Sequence, residues 1–299
     1  MKLDVKHYDG CGNTFAMVRH EDIVGYGELG AIAVAICAHD ALQTDGFIVV
    51  KEAPLEMIFY NRDGSQARMC GNGIRCFAKY ALDAGMVDAA ARNFDVLTGA
   101  GVKRIDILTD DGADGDFSCR VDMGTPDFTA ESMRLHMDMA GCERLFTSPL
   151  AFRLDMTGQL GNVSQMPASV DVHCVYTGTQ HAIVFAPDVA TLPHTTGATA
   201  LAQAIGAHAL FGDGVNVNFV EVIDEKNLIV RTYERGVGWT KACGTGCCGA
   251  YVIAKQLGHI QGEATIHIEL DILKISETNT LYMTGPATYN RSVTVEINL

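Results

Sequence analysis

The apolar and polar positions of this chain switch repeatedly between the two-residue alternation of a strand and the wider spacing of a helix. Residues 3–10 and 15–20 read as strands on either side of the loop DGCGNT (9–14), and 27–42 carries a helical spacing. The runs 46–52 and 56–65 alternate or stay apolar until turn residues stop them, which predicts two more strands. In 73–86 (GIRCFAKYALDAGM) Ile74, Phe77, Ala78 and Leu82 share one helical face, and Gly85 is placed to end the helix. Strands are expected next at 94–101, 103–112 and 117–124. The polar stretch 126–170 has no period that assigns it. Strands then return at 170–178 and 181–187, a helix at 198–211, and strands at 216–224 and 227–236. A helix at 246–259 and strands at 264–270, 272–277, 280–285 and 292–299 complete the pattern.

The second half thus repeats the first in order, and around one motif in spacing as well. Tyr60 stands ten residues before Cys70 in YNRDGSQARMC, and Tyr233 stands ten before Cys243 in YERGVGWTKAC. Each copy runs strand, polar turn, cysteine, Gly-x-Gly, helix. A repeat this long implies two pseudo-symmetric domains of mixed α/β (α+β) class rather than a solenoid. The expected division is 1–125 and 126–286, with a last strand near 287–299 returning to the first domain.

Length and composition agree with a folded enzyme: 299 residues bury a large core, and 48% hydrophobic with 19% charged residues is ordinary for a soluble globular protein. The net charge of −14, with Lys and Arg dispersed, disfavours a nucleic-acid or anionic membrane partner. MKLDVKHYDG lacks the apolar run of an export signal, and no stretch approaches the roughly 20 apolar residues of a spanning helix. The ten cysteines are therefore expected as reduced thiols in a cytoplasmic protein.

Cys70 and Cys243 are the candidates for chemistry. A cysteine at a helix N-terminus meets unpaired N–H groups and partial positive charge. That favours thiolate by up to about 2 kcal/mol, or roughly 1.5 pKa units, bringing a thiol of pKa ~8.5 close to physiological pH. The glycines allow close backbone approach, and their amides can hold a carboxylate. Two such groups facing one carbon would invert it: one sulfur removes a proton and the other returns one on the opposite face. The other cysteines read as small core hydrophobes, and Cys247 and Cys248 as packing residues one turn on. No paired CxxC or CxxC…HxxxH spacing supports a metal site, and GTGCCG lacks the Lys-Ser/Thr of a phosphate loop. A cysteine hydrolase would leave the second copy without a role. A thiol redox sensor or non-catalytic binding module stays open, with Cys70 and Cys243 as its reversible pair.

At GCGNTF (10–15), NRDGSQARMCGNGIRC (61–76), NVNF (216–219) and YERGVGWTKACGTG (233–246) the chain resembles the diaminopimelate epimerase family. These motifs occur in the family's order, whereas 126–170 and 187–213 resemble it little. The resemblance implies two similar domains, each a curled, mostly antiparallel sheet around a central helix, with the active site in the interdomain cleft. It implies PLP-independent proton transfer with no cofactor, Cys70 and Cys243 being the acid/base pair. Gly71, Asn72, Gly244 and Thr245 would bind the α-carboxylate, with Asn13 supplied by the first loop. Asn61, Asn216 and Arg235 would hold the far end of the substrate, the forked guanidinium suiting a distal carboxylate. Glu234 would contact the amine and the surroundings of one thiol, and His181 would be an auxiliary group near the first cysteine.

Three places depart from the family pattern. Thr179-Gln180-His181 replaces Asn-Pro-His, Trp239 replaces a frequent Glu, and Thr14 replaces a frequent Asp. The expected activity is interconversion of LL- and meso-diaminopimelate, serving lysine and cell-wall synthesis, on a small-molecule amino-acid substrate. A racemase of another amino acid, such as histidine, is the nearest alternative; a double-bond isomerase on a related scaffold is further off. A homodimer, common among soluble enzymes, is left open.

Overall fold

The computed structural model describes all residues except 89, 113–114, 138–140, 148, 158–166 and 298–299. The chain divides into two compact units, Met1–Asp122 with Met283–Leu299, and Met123–Tyr282.

The first unit contains β1 (Lys2–Gly10), β2 (Asn13–Arg19), α1 (Leu29–Ala38), β3 (Gly46–Lys51), β4 (Glu56–Asn61), β5 (Gln66–Ala67) and α2 (Gly71–Asp83). It continues with β6 (Asn93–Thr98), β7 (Gly101–Asp110) and β8 (Phe117–Gly124), whose last residues cross the division. The C-terminal strand, Thr288–Glu296, returns to pair antiparallel with β1. From there β1 pairs antiparallel with β2, β2 parallel with β3, and β3 antiparallel with β4. A parallel step from β4 to β6 and antiparallel steps to β7 and β8 extend the sheet.

The second unit contains β9 (Cys142–Thr147), β10 (Leu150–Asp155), β11 (Ser169–Tyr176), β12 (Gln180–Phe185), α3 (Thr196–Gly206), β13 (Asn216–Asp224) and β14 (Asn227–Glu234). After these come β15 (Gly238–Thr240), α4 (Gly244–Gln256), β16 (Ala264–His267) and β17 (Ile272–Glu277); β18 (Leu281–Pro286) crosses the division, Met283–Pro286 belonging to the first unit with the C-terminal strand, β19. The pairing repeats that of the first unit: antiparallel from β10 through β11 to β12, parallel to β13, antiparallel to β14, parallel to β16, antiparallel to β17.

In each unit one helix sits inside its own sheet. Helix α2 packs against β1, β2, β3, β4 and β19, and α4 against β11, β12, β13, β14, β16 and β17. Residues Gly71–Ala81 are all buried, as are Gly244 and Gly246–Ala254. The one-sided apolar face expected of 73–86 is therefore a helix enclosed almost all round. Both helices also begin two residues before the expected starts of 73 and 246, because the Gly-x-Gly segments form their first turns. Helices α1 and α3 are shorter than expected, and the expected strand 292–299 begins at Thr288 instead, its last two residues lying outside the described ones. The unassigned stretch 126–170 supplies β9 and β10, the latter with Leu150, Phe152 and Leu154 in the second unit's core.

Enclosure requires α2 to bury two cations. Arg75, fully buried, donates from Nε to the Pro286 carbonyl (3.0 Å), from Nη1 to the Gly71 carbonyl (3.1 Å), and from Nη2 to Cys11 Sγ (3.1 Å) and Asn72 Oδ1 (3.2 Å). Lys79 donates to Asp83 Oδ1 (3.2 Å) and the Gly112 carbonyl (3.0 Å), while Tyr8 donates to Asp83 Oδ2 (2.9 Å). A buried charge is tolerated only when paired or fully hydrogen-bonded. Arg75 thereby ties the first turn of α2 to the loop at Cys11 and to the returning C-terminal segment. Arg75→Met removes these donors while leaving their acceptors buried, and is expected to destabilise the protein by about 3 kcal/mol in urea unfolding.

Candidate active site

Cys70 and Cys243 occupy the same position in the two units. Each is the N-cap of its enclosed helix in extended backbone, with φ −133° and ψ 122° for Cys70, and φ −127° and ψ 102° for Cys243. The Gly73 amide donates to Cys70 Sγ at 3.4 Å, so the thiol takes the part that a Ser or Asp oxygen usually plays at a helix start.

Cys243 is more deeply set. Its Sγ lies 3.5 Å from Thr245 Oγ1, beside the charge of the half-buried Glu234 carboxylate. Burial, followed by the Glu234 charge, pushes the Cys243 thiol well up; Thr245 and the Gly246 amide pull the other way. The expectation that helix position would bring this thiol near physiological pH is thus corrected. The helix end favours thiolate, and desolvation beside a carboxylate outweighs it. Burial also raises Glu234, whose Oε1 accepts from Thr240 Oγ1 at 2.8 Å.

The glycines after each cysteine differ in what surrounds them. A Cβ on Gly246 would lie 2.2 Å from Asn218 Oδ1 and 3.2 Å from Thr232 Oγ1. On Gly73 it would meet the Ile48 Cδ1 methyl at 3.1 Å and Cys70 Cβ at 3.3 Å. The first approach has no room, and the second needs a small shift.

In the first unit Asn13 opens β2 after the turn Cys11–Gly12, where both residues have positive φ and Asp9 Oδ1 accepts from the Gly12 amide at 2.8 Å. Thr14, where the family often has Asp, donates to Asp45 from its amide and hydroxyl. Asn61 ends β4 and donates to Ser65 Oγ at 2.9 Å. Gly71 and Asn72 form the first turn of α2, and Asn72 Oδ1 is held by Arg75. The pairings Phe15–Gly46 and Gly46–Asn61 bring the start of β2 and the end of β4 to one end of the sheet.

In the second unit Asn216 lies in register with His181, and its Oδ1 accepts from the Arg235 amide at 2.9 Å. The Arg235 guanidinium donates to the carbonyls of Asp213 (2.7 Å) and Gly214 (3.3 Å). Gly244 and Thr245 form the first turn of α4, the Thr245 carbonyl accepting from Thr177 Oγ1 at 2.8 Å. His181 is completely buried, with Nε2 3.0 Å from Thr245 Oγ1 and Nδ1 3.0 Å from Asn218 Nδ2. Within its own unit its hydrogen bonds place it at the helix mouth that carries Cys243. Asn218 and Thr232, which join it there, were missed from sequence. An Asn at an inward position of the apolar run NVNFVEV was the available signal.

The family profile described as diaminopimelate epimerase matches residues 6–129 and 173–290, taking in every one of these motifs. The chain is 33% identical over 294 residues to the diaminopimelate epimerase of Alkaliphilus metalliredigens, covering 96% of this chain and 95% of that one. It is 33% identical over 286 residues to that of Moorella thermoacetica, covering 93% and 94%. This chain belongs to the diaminopimelate epimerase family. Among solved structures, the fold is similar to a hydroxyproline epimerase from Agrobacterium vitis, with a TM-score of 0.65 at 14% identity over 98% of this chain and 92% of that one. Membership makes the protein an isomerase of the epimerase class, and the fold is the mixed α+β epimerase fold read from the repeat.

The departures from the family pattern lie in braced positions. Trp239, where the family often has Glu, donates from Nε1 to Thr199 Oγ1 at 2.9 Å and packs edge-on against Tyr233. Gln180 donates to the Ser132 carbonyl at 3.2 Å. No helix among the described residues is long and apolar enough to cross a membrane.

The two glycines give a direct comparison. Gly246→Ala is expected to cost about 3 kcal/mol by overpacking against Asn218, and Gly73→Ala about 1 kcal/mol, since the Ile48 methyl can move. Thermal and urea unfolding of the two variants side by side checks the order.

Proposed function

We propose that this protein is a PLP-independent epimerase that interconverts LL- and meso-diaminopimelate, with Cys70 and Cys243 acting from opposite faces of the α-carbon. The observation that carries this reading is the placement of a cysteine as N-cap on both enclosed helices, each followed by a Gly-x-Gly turn. Family membership supports the substrate.

In the proposed cycle one sulfur enters as thiolate and abstracts the α-proton, while the other donates a proton from its thiol to the opposite face. The two then exchange protonation states for the reverse direction. The carbanion delocalises into the α-carboxylate. Amides at the first turns of α2 and α4, from Gly71, Asn72, Gly244 and Thr245, would meet that developing charge as preorganised donors. Glu234, whose charge helps keep the Cys243 thiol protonated at rest, would hold the substrate amine. Asn13, Asn61, Asn216 and Arg235 would orient the substrate, the last three at its far end. His181 acts through Thr245. The chemistry requires no cofactor. The reading includes a cytoplasmic protein acting on a small amino acid, as a homodimer.

A second reading keeps the mechanism and changes the substrate. Thr179, Gln180 and Trp239 replace residues usual in the family, which favours testing other amino acids, histidine among them.

Solvent-deuterium incorporation at the α-carbon of an amino-acid panel decides between the two. Exchange with LL- and meso-diaminopimelate is expected; exchange only with another amino acid removes the proposed substrate. Cys70→Ser and Cys243→Ser should each lower racemisation at least about 100-fold, as expected for loss of an acid/base group. A thiol redox sensor would have no turnover to lose.

Because burial and Glu234 raise the Cys243 thiol, it rests protonated at neutral pH. When the direction of catalysis needs its thiolate, kcat/KM should rise with pH from about 6 to about 8.5. A flat profile over that range would count against Cys243 as a base.

A further inference from the structure

The repeat supports a position-by-position comparison around the two cysteines. Aligning Tyr60 with Tyr233 also aligns Cys70 with Cys243 and Gly73 with Gly246. Strand register carries the alignment outward: Tyr60 pairs with Phe47 and Tyr233 with Val217, while Ile48 pairs with Phe59 and Asn218 with Thr232. One strand further, Ala16 pairs with Phe47 and Ala182 with Val217, so Phe15 corresponds to His181. The three positions facing the first turn of the enclosed helix are therefore Phe15, Ile48 and Phe59 in one unit, and His181, Asn218 and Thr232 in the other.

The first set is apolar, with Phe15 and Phe59 packed edge-on at 6.0 Å between ring centres. The second is a hydrogen-bonded chain. Thr232 Oγ1 lies 2.9 Å from Asn218 Oδ1, Asn218 Nδ2 lies 3.0 Å from His181 Nδ1, His181 Nε2 lies 3.0 Å from Thr245 Oγ1, and Thr245 Oγ1 lies 3.5 Å from Cys243 Sγ.

The chain has a polarity that backbone groups fix. The Asn218 amide nitrogen also donates to the carbonyls of Ala182 (3.3 Å) and Asn216 (3.4 Å), which accept only. Its NH2 therefore faces His181, and its oxygen faces the Thr232 hydroxyl. His181 Nδ1 must then be the bare, accepting nitrogen, which leaves the ring proton on Nε2. That proton is donated to Thr245 Oγ1, so the Thr245 hydroxyl hydrogen is directed away from the ring, towards Cys243 Sγ.

We propose that Asn218 and Thr232 are positioning residues that hold His181 as the neutral Nε2–H tautomer, so that Thr245 presents its hydroxyl hydrogen to the Cys243 sulfur. In this arrangement His181 is a fixed donor and takes no part as an acid or base. The relay stabilises the Cys243 thiolate against the burial that opposes it. Cys70 has no counterpart, because its equivalent positions are Phe15, Ile48 and Phe59. The two sulfurs of the proposed mechanism are thus unequal by construction: a hydroxyl aimed by the relay stands at Cys243, and the positions equivalent to the relay around Cys70 are apolar. Burial independently disfavours the charged imidazole, pushing its pKa down to about 3.

The inference rests on the proposed function for its kinetic consequence and on structure alone for the tautomer, so the two fail separately. In histidine-selectively 15N-labelled wild-type protein, His181 is assigned by the signal missing in His181→Gln. That signal should show the neutral Nε2–H pattern unchanged from pH 5 to 9. A neutral Nδ1–H pattern, or protonation near pH 6.5, overturns the proposal whether or not the protein is active on diaminopimelate.

Asn218→Asp supplies the second arm. A carboxylate there accepts from Nδ1–H, moving the ring proton or charging the ring. The variant should lower kcat/KM about tenfold, comparable to one lost hydrogen bond, with KM changed by less than about threefold. A new ionisation should enter its pH profile between about 5 and 8, where a His with a carboxylate neighbour titrates. A variant that keeps the wild-type profile and rate overturns the relay. Should Asn218→Asp not fold, Thr232→Val removes only the outer anchor, and an unchanged His181 spectrum together with unchanged kcat in that variant would overturn the role given to Thr232.

Discussion

The structure depends on a helix enclosed by its own sheet, entering through a first turn that has no room for side chains facing the strands. At Gly246 the nearest strand atom would stand 2.2 Å from a Cβ, so glycine is the residue that lets α4 lie where it does. Once the helix is enclosed, its N-terminal amides cannot all be satisfied by water, and the N-cap side chain becomes the group beside them. A cysteine in that position is at once a cap and a thiol beside a partial positive charge. The same enclosure forces Arg75 and Lys79 into the interior of the first unit, where each is held by acceptors from distant parts of the chain. The capping thiol and the buried cation are consequences of one packing decision.

The duplication preserves that decision and changes its lining. Strand pairings, helix placement and the cysteine cap are repeated, while Phe15, Ile48 and Phe59 are replaced by His181, Asn218 and Thr232. An apolar lining seats the first helix by packing. A polar lining seats the second by hydrogen bonds that also define which way a hydroxyl points. The polar version is possible inside the protein because each member has its partner; a half-satisfied chain would be worse than the apolar one. Gly246 belongs to both accounts, since the atom a Cβ would strike is the Asn218 oxygen that accepts from Thr232.

Much of this was legible in the sequence because it is local. The ten-residue spacing from tyrosine to cysteine and the shift from strand to helix period after Gly-x-Gly exposed the repeat and both caps. What was illegible depends on contacts between distant segments. A helix with Arg75 and Lys79 on its outer positions reads as half-exposed, and only the Pro286 carbonyl, Cys11 and Gly112 reveal that it is enclosed. The 126–170 stretch hid β9 and β10 because β9 is largely exposed and offers no alternation, whereas the apolar side of β10 spans only three residues. His181 was assigned by resemblance, and its partners came only from the register of β12, β13 and β14. The Cys243 thiol was misjudged in direction because the helix end is visible in sequence and desolvation beside Glu234 is not.

These observations separate chemistry from recognition within the second unit. The groups that bear on Cys243 lie on the first turn of α4 and the strand positions beneath it, all fixed by buried hydrogen bonds. The groups proposed for the substrate's far end, Asn216 and Arg235, are oriented differently, through the Arg235 amide and through the carbonyls of Asp213 and Gly214. Trp239, three residues before the β15–α4 junction at Ala242, is braced against α3 by Thr199 and against Tyr233. The positions at which this chain departs from its family therefore fall among loop and strand-end contacts, whereas the sulfur relay runs through the core. On the proposed function, Thr179, Gln180 and Trp239 can change without disturbing a hydrogen bond of the relay, so that substrate preference would be free to drift while the proton-transfer groups are kept.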